Sequence, residues 1–184
     1  MMGTVPLTPD RLRETFKRMS LQTAAGADAW TVAELRLLPE PLLAKLCELL
    51  HMVEDTGCWP ADLCLGLITP LVKDDARPLQ AGNTRPITVM PVLYRAWAAT
   101  RMRELIEWQE QWISQHISSY RPGMGCEDLW LTEALRVEHS LLHGYGLCGI
   151  SLDFAKAFDR LPHAVLLCIM EKMGMDAGIL RALA

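Results

Sequence analysis

The chain has 184 residues, of which 51% are hydrophobic and 22% charged, and its formal net charge is −4. This length allows one domain with a substantial core or parts of two, and the composition is that of an ordinary globular protein. The negative charge gives no global field that would attract nucleic acid, and no apolar run is long enough to span a bilayer. Positive charge is concentrated between residues 73 and 103.

The cysteines and the N-terminus bear on where the protein works. The six cysteines form no C-x-x-C pair and lie mostly in apolar stretches, which predicts reduced and buried thiols. The first ten residues, MMGTVPLTPD, contain no apolar run typical of a signal peptide. We therefore expect an intracellular protein, and the sequence does not distinguish the cytoplasm from the nucleus.

Local signals predict the first two helices and the loop between them. Thr8 and Pro9 are typical of an N-cap and a first helical position, and the basic helix they open is predicted to reach residue 19. Residues 22–30 are mostly small and predict a loop. Thr31-x-x-Glu34 then has the sequence of a capping box, which predicts a second helix start.

A third helix and a β-ribbon are predicted next. Leucines at helical spacing predict a helix that begins at Pro41 and ends at Gly57. The apolar and partly β-branched stretches 63–73 and 85–93 flank a polar loop, so they predict a two-stranded ribbon.

The remaining sequence predicts more helices and one strand. The apolar stretch 145–154 predicts a buried strand. The spacing of three tryptophans along one predicted helix favours packing in the core over stacking on nucleic-acid bases; they are Trp97, Trp108 and Trp112. Helices are predicted over 91–113, 126–143, 162–173 and from Asp176 onward, with a turn at 118–125.

An acid lies at the end of the predicted strand, in the stretch ISLDFAKAFDRLPH (150–163). A buried carboxylate is costly unless it is paired or binds a cation, and Mg²⁺ is commonly held by one or two carboxylates plus substrate phosphates. Asp153 is therefore a candidate metal ligand. The tight turn predicted after it leaves backbone N–H groups free to meet phosphate.

The predicted ribbon carries two cations at strand ends, Lys73 and Arg85. Arginine supplies a planar, bidentate fork and lysine a mobile point charge, so the pair is suited to gripping a triphosphate. The alternative for Arg85 is a surface salt bridge with Asp74 or Asp75, an interaction of little energetic weight.

Five motifs in order resemble the reverse transcriptase domain of non-LTR retrotransposons, with group II intron proteins as more distant relatives. They are AAGADAW (24–30), LITPLVK (67–73), NTRPITVMPVLYRAWAATR (83–101), SSYRPGMGCEDL (118–129) and LDFAKAFDRLPH (152–163). The resemblance implies an α+β fold: a mainly helical fingers region with a β-ribbon over 1–144, and the first strand and helix of a polymerase palm over 145–184. This is an incomplete right-hand polymerase fold.

The resemblance also implies roles for individual residues. Asp153 would bind both catalytic Mg²⁺ ions, with the Phe154 carbonyl as a second ligand. The backbone amides of Lys156 and Ala157 would face the triphosphate. Phe158 would be the steric gate that excludes a ribose 2′-hydroxyl.

The implied reaction is RNA-directed DNA synthesis by two-metal nucleotidyl transfer. Arg85 and Lys73 would neutralise the triphosphate, and the partners would be an RNA template, a DNA primer and deoxynucleoside triphosphates, with no membrane involved.

The sequence departs from the family pattern at three places. The loop 24–30 lacks the proline and final glycine of the usual P-G-P-D-G, and Tyr120 replaces the usual phenylalanine of G-F-R-P-G. No F/Y-x-D-D sequence occurs. We therefore expect a fragment that lacks the C-terminal palm and thumb segments, holds an incomplete metal site and is inactive alone.

Other functions remain open. The chain is alternatively a decayed or repurposed reverse-transcriptase-like protein that acts at most as an RNA- or protein-binding module. His139 and His143, at i and i+4 on a predicted helix, have a spacing that can chelate zinc, or they form a polar helix face. Asp159 precedes Pro162 and the next predicted helix, where it is expected to act as a structural cap.

Overall fold

The computed structural model describes residues 2–73, 81–158 and 160–184. Helices and two strands follow one another along these ranges. In chain order they are α1 (Pro9–Arg18), α2 (Val32–Arg36), α3 (Glu40–Thr56), α4 (Ala61–Cys64), β1 (Leu67–Val72), a 3₁₀ turn (Ala81–Asn83), β2 (Thr84–Val89), α5 (Val92–Gln109), α6 (Cys126–His143), α7 (His163–Lys172) and α8 (Ala177–Leu183). The helices predicted from local signals are confirmed, with ends that differ by a few residues.

Side-chain caps hold the first two helices. The Thr8 hydroxyl accepts a hydrogen bond from the Arg11 amide at the start of α1, and the capping box of Thr31 and Glu34 is complete at the start of α2. The guanidinium of Arg36 donates to three carbonyls at the end of α1, at 2.7–2.9 Å; they belong to Phe16, Lys17 and Met19. Arg36 therefore joins the end of α1 to α2 by satisfying carbonyls that a helix leaves unpaired.

The C-terminal helix α8 packs against α3, although the two are more than a hundred residues apart in sequence. α3 ends at Thr56, and Gly57 caps it with a φ of +73°, a left-handed conformation that glycine adopts more easily than other residues. A Cβ at Gly57 would lie 2.9 Å from the carbonyl oxygen of Arg181, so α8 approaches this turn closely. The Trp59 indole donates to the Ala182 carbonyl at 2.8 Å, and Arg181 Nε donates to the Glu54 carbonyl at 2.9 Å.

The main core lies between α1, α2, α3, α5 and α8. Its fully buried members include Leu12, Phe16, Val32, Leu43, Leu50, Val53, Val92 and Trp97. The core position predicted for Trp97 and Trp108 is confirmed. For Trp112, which follows the end of α5, the prediction is wrong. Its side chain is 44% exposed and makes an edge-to-face contact with the Trp108 ring.

The segment 2–7 fastens the C-terminal helices to α5. The Met2 amide donates to the Gly174 carbonyl at 2.7 Å, and the Met2 side chain packs in a second buried cluster with Trp108, Met175 and Ile179. Further along, the Val5 amide donates to Glu104 on α5. Met2 and Leu7 are therefore buried in the two clusters, whereas Val5 between them is exposed.

The predicted β-ribbon is confirmed with shorter strands, because residues 63–64 belong to α4 and residues 92–93 to α5. β1 and β2 pair antiparallel, from Leu67 opposite Val89 to Val72 opposite Thr84. The side chains of β1 are all exposed and those of β2 are exposed or half-buried, so neither face of the ribbon is packed into the core.

The predicted buried strand over 145–154 is wrong. Residues 146–154 carry no strand pairing, and their apolar side chains are exposed, with Ile150 at 88% and Leu152 at 78%. A strand needs a hydrogen-bonded neighbour, and in the described ranges the only strands, β1 and β2, pair with each other.

The expectation of buried thiols also needs correction. All six cysteines are free, as expected, but only Cys47 is buried and the other five are exposed. Burial raises the pKa of the Cys47 thiol. Among the described residues, no helix is long and apolar enough to cross a membrane.

Candidate nucleotide-binding and metal site

The two ribbon cations lie together at one end of the ribbon. Arg85 is opposite Leu71, and the Lys73 amide continues the pairing by donating to the Asn83 carbonyl at 2.8 Å. Opposite residues of an antiparallel pair share a face, as do alternate residues of one strand. Lys73 follows the last residue of β1, and its hydrogen bond to Asn83 extends the register by one residue, which makes it a diagonal neighbour of Arg85 on the same face. Both residues are exposed.

Neither cation is neutralised within the described part of the chain. No ion pair there includes Lys73 or Arg85, although nine others are formed. The alternative partners of Arg85, Asp74 and Asp75, lie outside the described residues. The end of the ribbon thus presents two positive charges that an anionic ligand can reach.

The segment around Asp153 is exposed and ends in a turn. Residues 155–158 form the tight turn predicted after Asp153, closed by hydrogen bonds from the Arg160 amide to the Lys156 carbonyl (3.1 Å) and from the Leu161 amide to the Phe158 carbonyl (3.3 Å). Lys156 has a φ of +53°. A left-handed residue within a turn is a feature of the backbone nests that bind anions.

Side chains of this segment point into solvent. Phe154 and Phe158 are 75% and 82% exposed. Asp153 and Ala157 are exposed as well, and Asp159 lies outside the described residues. The hydrogen bonds given above for this segment stay within the turn. They hold the turn together but do not connect it to the ribbon.

The oxygen donors near Asp153 are of the kind that Mg²⁺ prefers, but they are too few to complete a metal site. Asp153 and the Phe154 carbonyl supply hard oxygens, which Mg²⁺ prefers. Within the described ranges, however, no three His, Cys, Asp or Glu side chains cluster closely enough to hold a metal ion. The residues present fit part of a metal site, and other ligands would have to complete it.

The paired histidines on α6 bring no third ligand from the described residues. The rings of His139 and His143 stack with centroids 4.2 Å apart, and His143 Nδ1 lies 2.9 Å from the His139 carbonyl oxygen. The contact at Nδ1 leaves Nε2 of His143 available, but two imidazoles alone do not make a closed zinc site. The arrangement is that of a stacked pair on an exposed helix face.

The loop of the first motif packs against the start of α5. A Cβ at Gly26 would lie 2.4 Å from the Pro91 Cα, so only glycine fits. Arg95, one turn into α5, donates to the Ala24 carbonyl. Ala29, at the position of the family's final glycine, has a φ of +59°. The loop therefore keeps the backbone that glycine favours although alanine occupies the position.

Arg95 was not among the residues that sequence reasoning singled out. Burial lowers the pKa of its guanidinium, and the charge of Asp28 in the same loop opposes that shift. Arg95 Nε and Asp28 Oδ1 are buried atoms that find no hydrogen-bond partner among the residues described. The only available signal was its place in the basic stretch, ten residues after Arg85.

The turn at 118–125 is held by a single arginine. Arg121 makes a bidentate ion pair with Glu110 just beyond α5 and also donates to the carbonyls of Ser114 and Ile117. Tyr120 has a φ of +60° and is exposed. The motif that contains Tyr120 and Arg121 therefore closes the connection between α5 and α6.

Comparison with known families assigns the chain. The family model described as reverse transcriptase (RNA-dependent DNA polymerase) matches residues 72–183, from the end of β1 to the end of α8. The chain belongs to this family, and the resemblance seen in the sequence motifs is confirmed.

The curated relatives come from non-LTR retrotransposons. The chain is 27% identical over 164 residues to the Retrovirus-related Pol polyprotein from type-2 retrotransposable element R2DM of Drosophila melanogaster. It is 23% identical over 168 residues to the RNA-directed DNA polymerase from mobile element jockey of Drosophila funebris. Each match covers 88% of this chain but only 15% and 18% of the relatives, so the chain spans less than a fifth of their length.

Proposed function

We propose that this chain is the part of an RNA-directed DNA polymerase that grips the incoming nucleotide and contributes one carboxylate to its metal site. The observation that carries the proposal is the position of Lys73 and Arg85 on one exposed face at one end of the ribbon, inside the range that matches the family. The substrates would be deoxynucleoside triphosphates, directed by an RNA template and added to a DNA primer.

The ribbon end suits a triphosphate in both charge and geometry. Arg85 would hold two phosphate oxygens with its planar fork, and Lys73 would add a mobile charge. Both side chains are exposed and have no ion-pair partner among the described residues, so binding would neutralise charges that are open to solvent there. A charge-assisted hydrogen bond of this kind contributes about 1.5–3 kcal/mol.

The turn after Asp153 suits the other side of the nucleotide. Asp153 and the Phe154 carbonyl would hold a divalent ion, which neutralises phosphate charge when bound. The left-handed backbone at Lys156 supports a role for the amides of Lys156 and Ala157 as phosphate contacts. Phe158, exposed at the end of the same turn, would lie beneath the sugar and exclude a 2′-hydroxyl.

The architecture we propose is a fingers region over 1–144 and the opening of a palm over 145–184 of a right-hand polymerase. The exposed apolar side chains of 146–154 support this division, because exposed apolar surface is typical of a segment that packs against another part of a protein. Two Mg²⁺ ions would act in the complete enzyme. We propose that the 184-residue chain is inactive alone, because one carboxylate does not hold two ions at catalytic separation.

Two assays test the proposal. Titration of the chain with a fluorescent deoxynucleoside triphosphate and Mg²⁺ should show weak binding that Arg85→Ala and Lys73→Ala reduce, whereas Lys172→Ala at the end of α7 should leave it unchanged. Primer extension on an RNA template should give no product.

Two outcomes would contradict this reading. Templated extension by the chain, abolished by Asp153→Ala, would show that the site needs nothing more. RNA binding without any nucleotide binding would instead favour the binding-module alternative.

A further inference from the structure

The ribbon meets the helical body at Met90 and Pro91, between β2 and α5. Its strands are exposed or half-buried along their length, so its orientation depends on what holds this junction. Two glycines approach it closely. A Cβ at Gly66 would lie 2.6 Å from Thr88 Cγ2 and 3.1 Å from Met90 Sδ, and one at Gly26 would lie 2.4 Å from the Pro91 Cα and 3.0 Å from the Met90 carbonyl carbon.

The second approach belongs to the loop 24–28, which is fastened by Arg95. The guanidinium of Arg95 donates to the Ala24 carbonyl, across 71 residues of sequence. Asp28 of the same loop adds an attractive charge to the half-buried Arg95 guanidinium. Asp28 Oδ1 and Arg95 Nε are buried atoms with no hydrogen-bond partner among the described residues. The hydrogen bond to Ala24 and the attraction to Asp28 together hold the loop near α5.

We propose that Arg95, acting through the loop 24–28, is a positioning residue that sets the orientation of the β-ribbon on the helical body. Met90 and Pro91 are the two residues between the end of β2 and the start of α5, and Pro91 is the N-cap of α5. A loop that packs closely against them therefore fixes the direction in which β2 leaves the helical body. Arg85 lies five residues before Met90 on that strand. A change of angle at the junction therefore moves Arg85 and Lys73 together, as one unit.

The consequence for nucleotide binding rests on the proposed function, but the orientation itself does not. Arg85 would touch the triphosphate; Arg95 would act only by placing Arg85. Loss of Arg95 should weaken nucleotide binding while the ribbon's own pairing, Leu67 to Val72 with Thr84 to Val89, stays intact.

The test measures the ribbon's orientation directly. Spin-labelled unnatural amino acids, which avoid the native cysteines, are placed at Thr69 on the ribbon and at Glu48 on α3, both exposed. Double electron–electron resonance then gives the distance distribution between them. We expect one narrow distribution in the parent chain and a distribution at least twice as broad in Arg95→Gln. Arg95→Lys, which can still reach the Ala24 carbonyl, should recover much of the narrow distribution.

Controls separate positioning from a general loss of structure. Arg103→Gln, on the same helix and without an ion pair in the described residues, should match the parent. If Arg95→Gln loses its helical circular dichroism, Asp28→Asn serves as the milder variant and should broaden the distribution in the same way. An unchanged distribution in a folded Arg95→Gln or Asp28→Asn chain overturns the inference.

Nucleotide titration of the same variants distinguishes the positioning role of Arg95 from nucleotide binding by Lys73 and Arg85. A broadened distribution together with unchanged nucleotide affinity would confirm positioning and count against nucleotide binding by Lys73 and Arg85. A narrow distribution with weakened affinity would overturn positioning and leave the proposed function standing.

Discussion

Arg101 on α5 and Glu54 on α3 form a bidentate ion pair inside the core. Arg101 Nε and Nη2 donate to the two Glu54 carboxylate oxygens at 2.7 and 2.6 Å, and Arg101 is only 3% exposed. Arg101 Nη1 also donates to Glu104 and to the Val5 carbonyl, and the Trp97 indole donates to Glu54. Burial by itself lowers the pKa of the Arg101 guanidinium, but its hydrogen bonds with Glu54 and Glu104 raise it overall.

Arg101→Met should lower the free energy of unfolding by about 3–5 kcal/mol, because Glu54 would remain buried without its partner. Replacing both residues, as Arg101→Met with Glu54→Gln, should cost less than the single change. Urea denaturation followed by circular dichroism measures both. Arg13→Met removes solvent-exposed ion pairs with Asp10 and Glu40 and should lower the free energy of unfolding far less than Arg101→Met. Equal losses for Arg13→Met and Arg101→Met would contradict the role of burial.

Ala29→Gly should raise the free energy of unfolding by about 0.5–1 kcal/mol. The left-handed φ of Ala29 costs a non-glycine residue about 1–2 kcal/mol, which glycine would not incur. Glycine loses more conformational entropy on folding, so this loss offsets part of the stabilisation. Ala27→Gly, in the same loop but without a positive φ, should instead destabilise. Thermal denaturation compares the two, and a stabilised Ala27→Gly would remove this explanation.

The turn at 118–125 should loosen in acid. The hydrogen bond from Arg121, opposed by desolvation and aided by the arginine's charge, lowers the pKa of Glu110 below its ordinary value. A carboxyl whose pKa is depressed on folding stabilises above its unfolded pKa, and that contribution is lost as pH falls through its folded pKa. Amide exchange in 114–125 should therefore accelerate below the ordinary glutamate pKa. Glu110→Gln should show this acceleration already at neutral pH.

Arg85→Ala should weaken nucleotide use in a polymerase-active protein that contains this sequence. The loss of one charge-assisted contact predicts a rise of roughly ten- to hundredfold in apparent KM. Arg85→Lys should recover only part of the loss, because lysine lacks the planar fork. Steady-state primer extension measures this, with Arg103→Ala as the matched control. Wild-type kinetics in Arg85→Ala would make the residue a surface charge without a catalytic role.

Phe158→Ala should admit ribonucleotides in the same kind of assay. Removing the ring would open space beneath the sugar, so the preference for deoxynucleotides over ribonucleotides should fall. Phe154→Ala, which alters an exposed ring of the same segment but keeps the backbone carbonyl, is the control and should retain discrimination. Identical discrimination in all three proteins would remove Phe158 from the gate.

Local sequence signals predicted the helices well because caps act within four residues. Thr8, Thr31 and Asp176 each accept a hydrogen bond from the backbone of the helix that they open. The ribbon was predictable from its β-branched stretches, and alternation along its strands then places Lys73 beside Arg85. These features need no knowledge of the rest of the chain.

Long-range relationships were not predictable in the same way. The apolar stretch 145–154 has the composition of a strand, but composition does not supply a neighbour to pair with. Arg95 and Arg101 are two arginines of one motif, yet one clamps a surface loop and the other lies in the core. Their partners, at Ala24 and Glu54, are 71 and 47 residues away. Such pairs depend on tertiary packing that residue type alone does not reveal.

The position of segment 2–7 has a consequence for the order of folding. The Met2 amide donates to the carbonyl of Gly174, and Thr4 donates to Asp176, so segment 2–7 completes these contacts only after residues 174–176 have joined the fold. α1, α2 and α3 hold one another through nearer neighbours and can assemble earlier. Until residues 174–179 pack against it, Trp108 is not buried. Its fluorescence should therefore report the last step of folding.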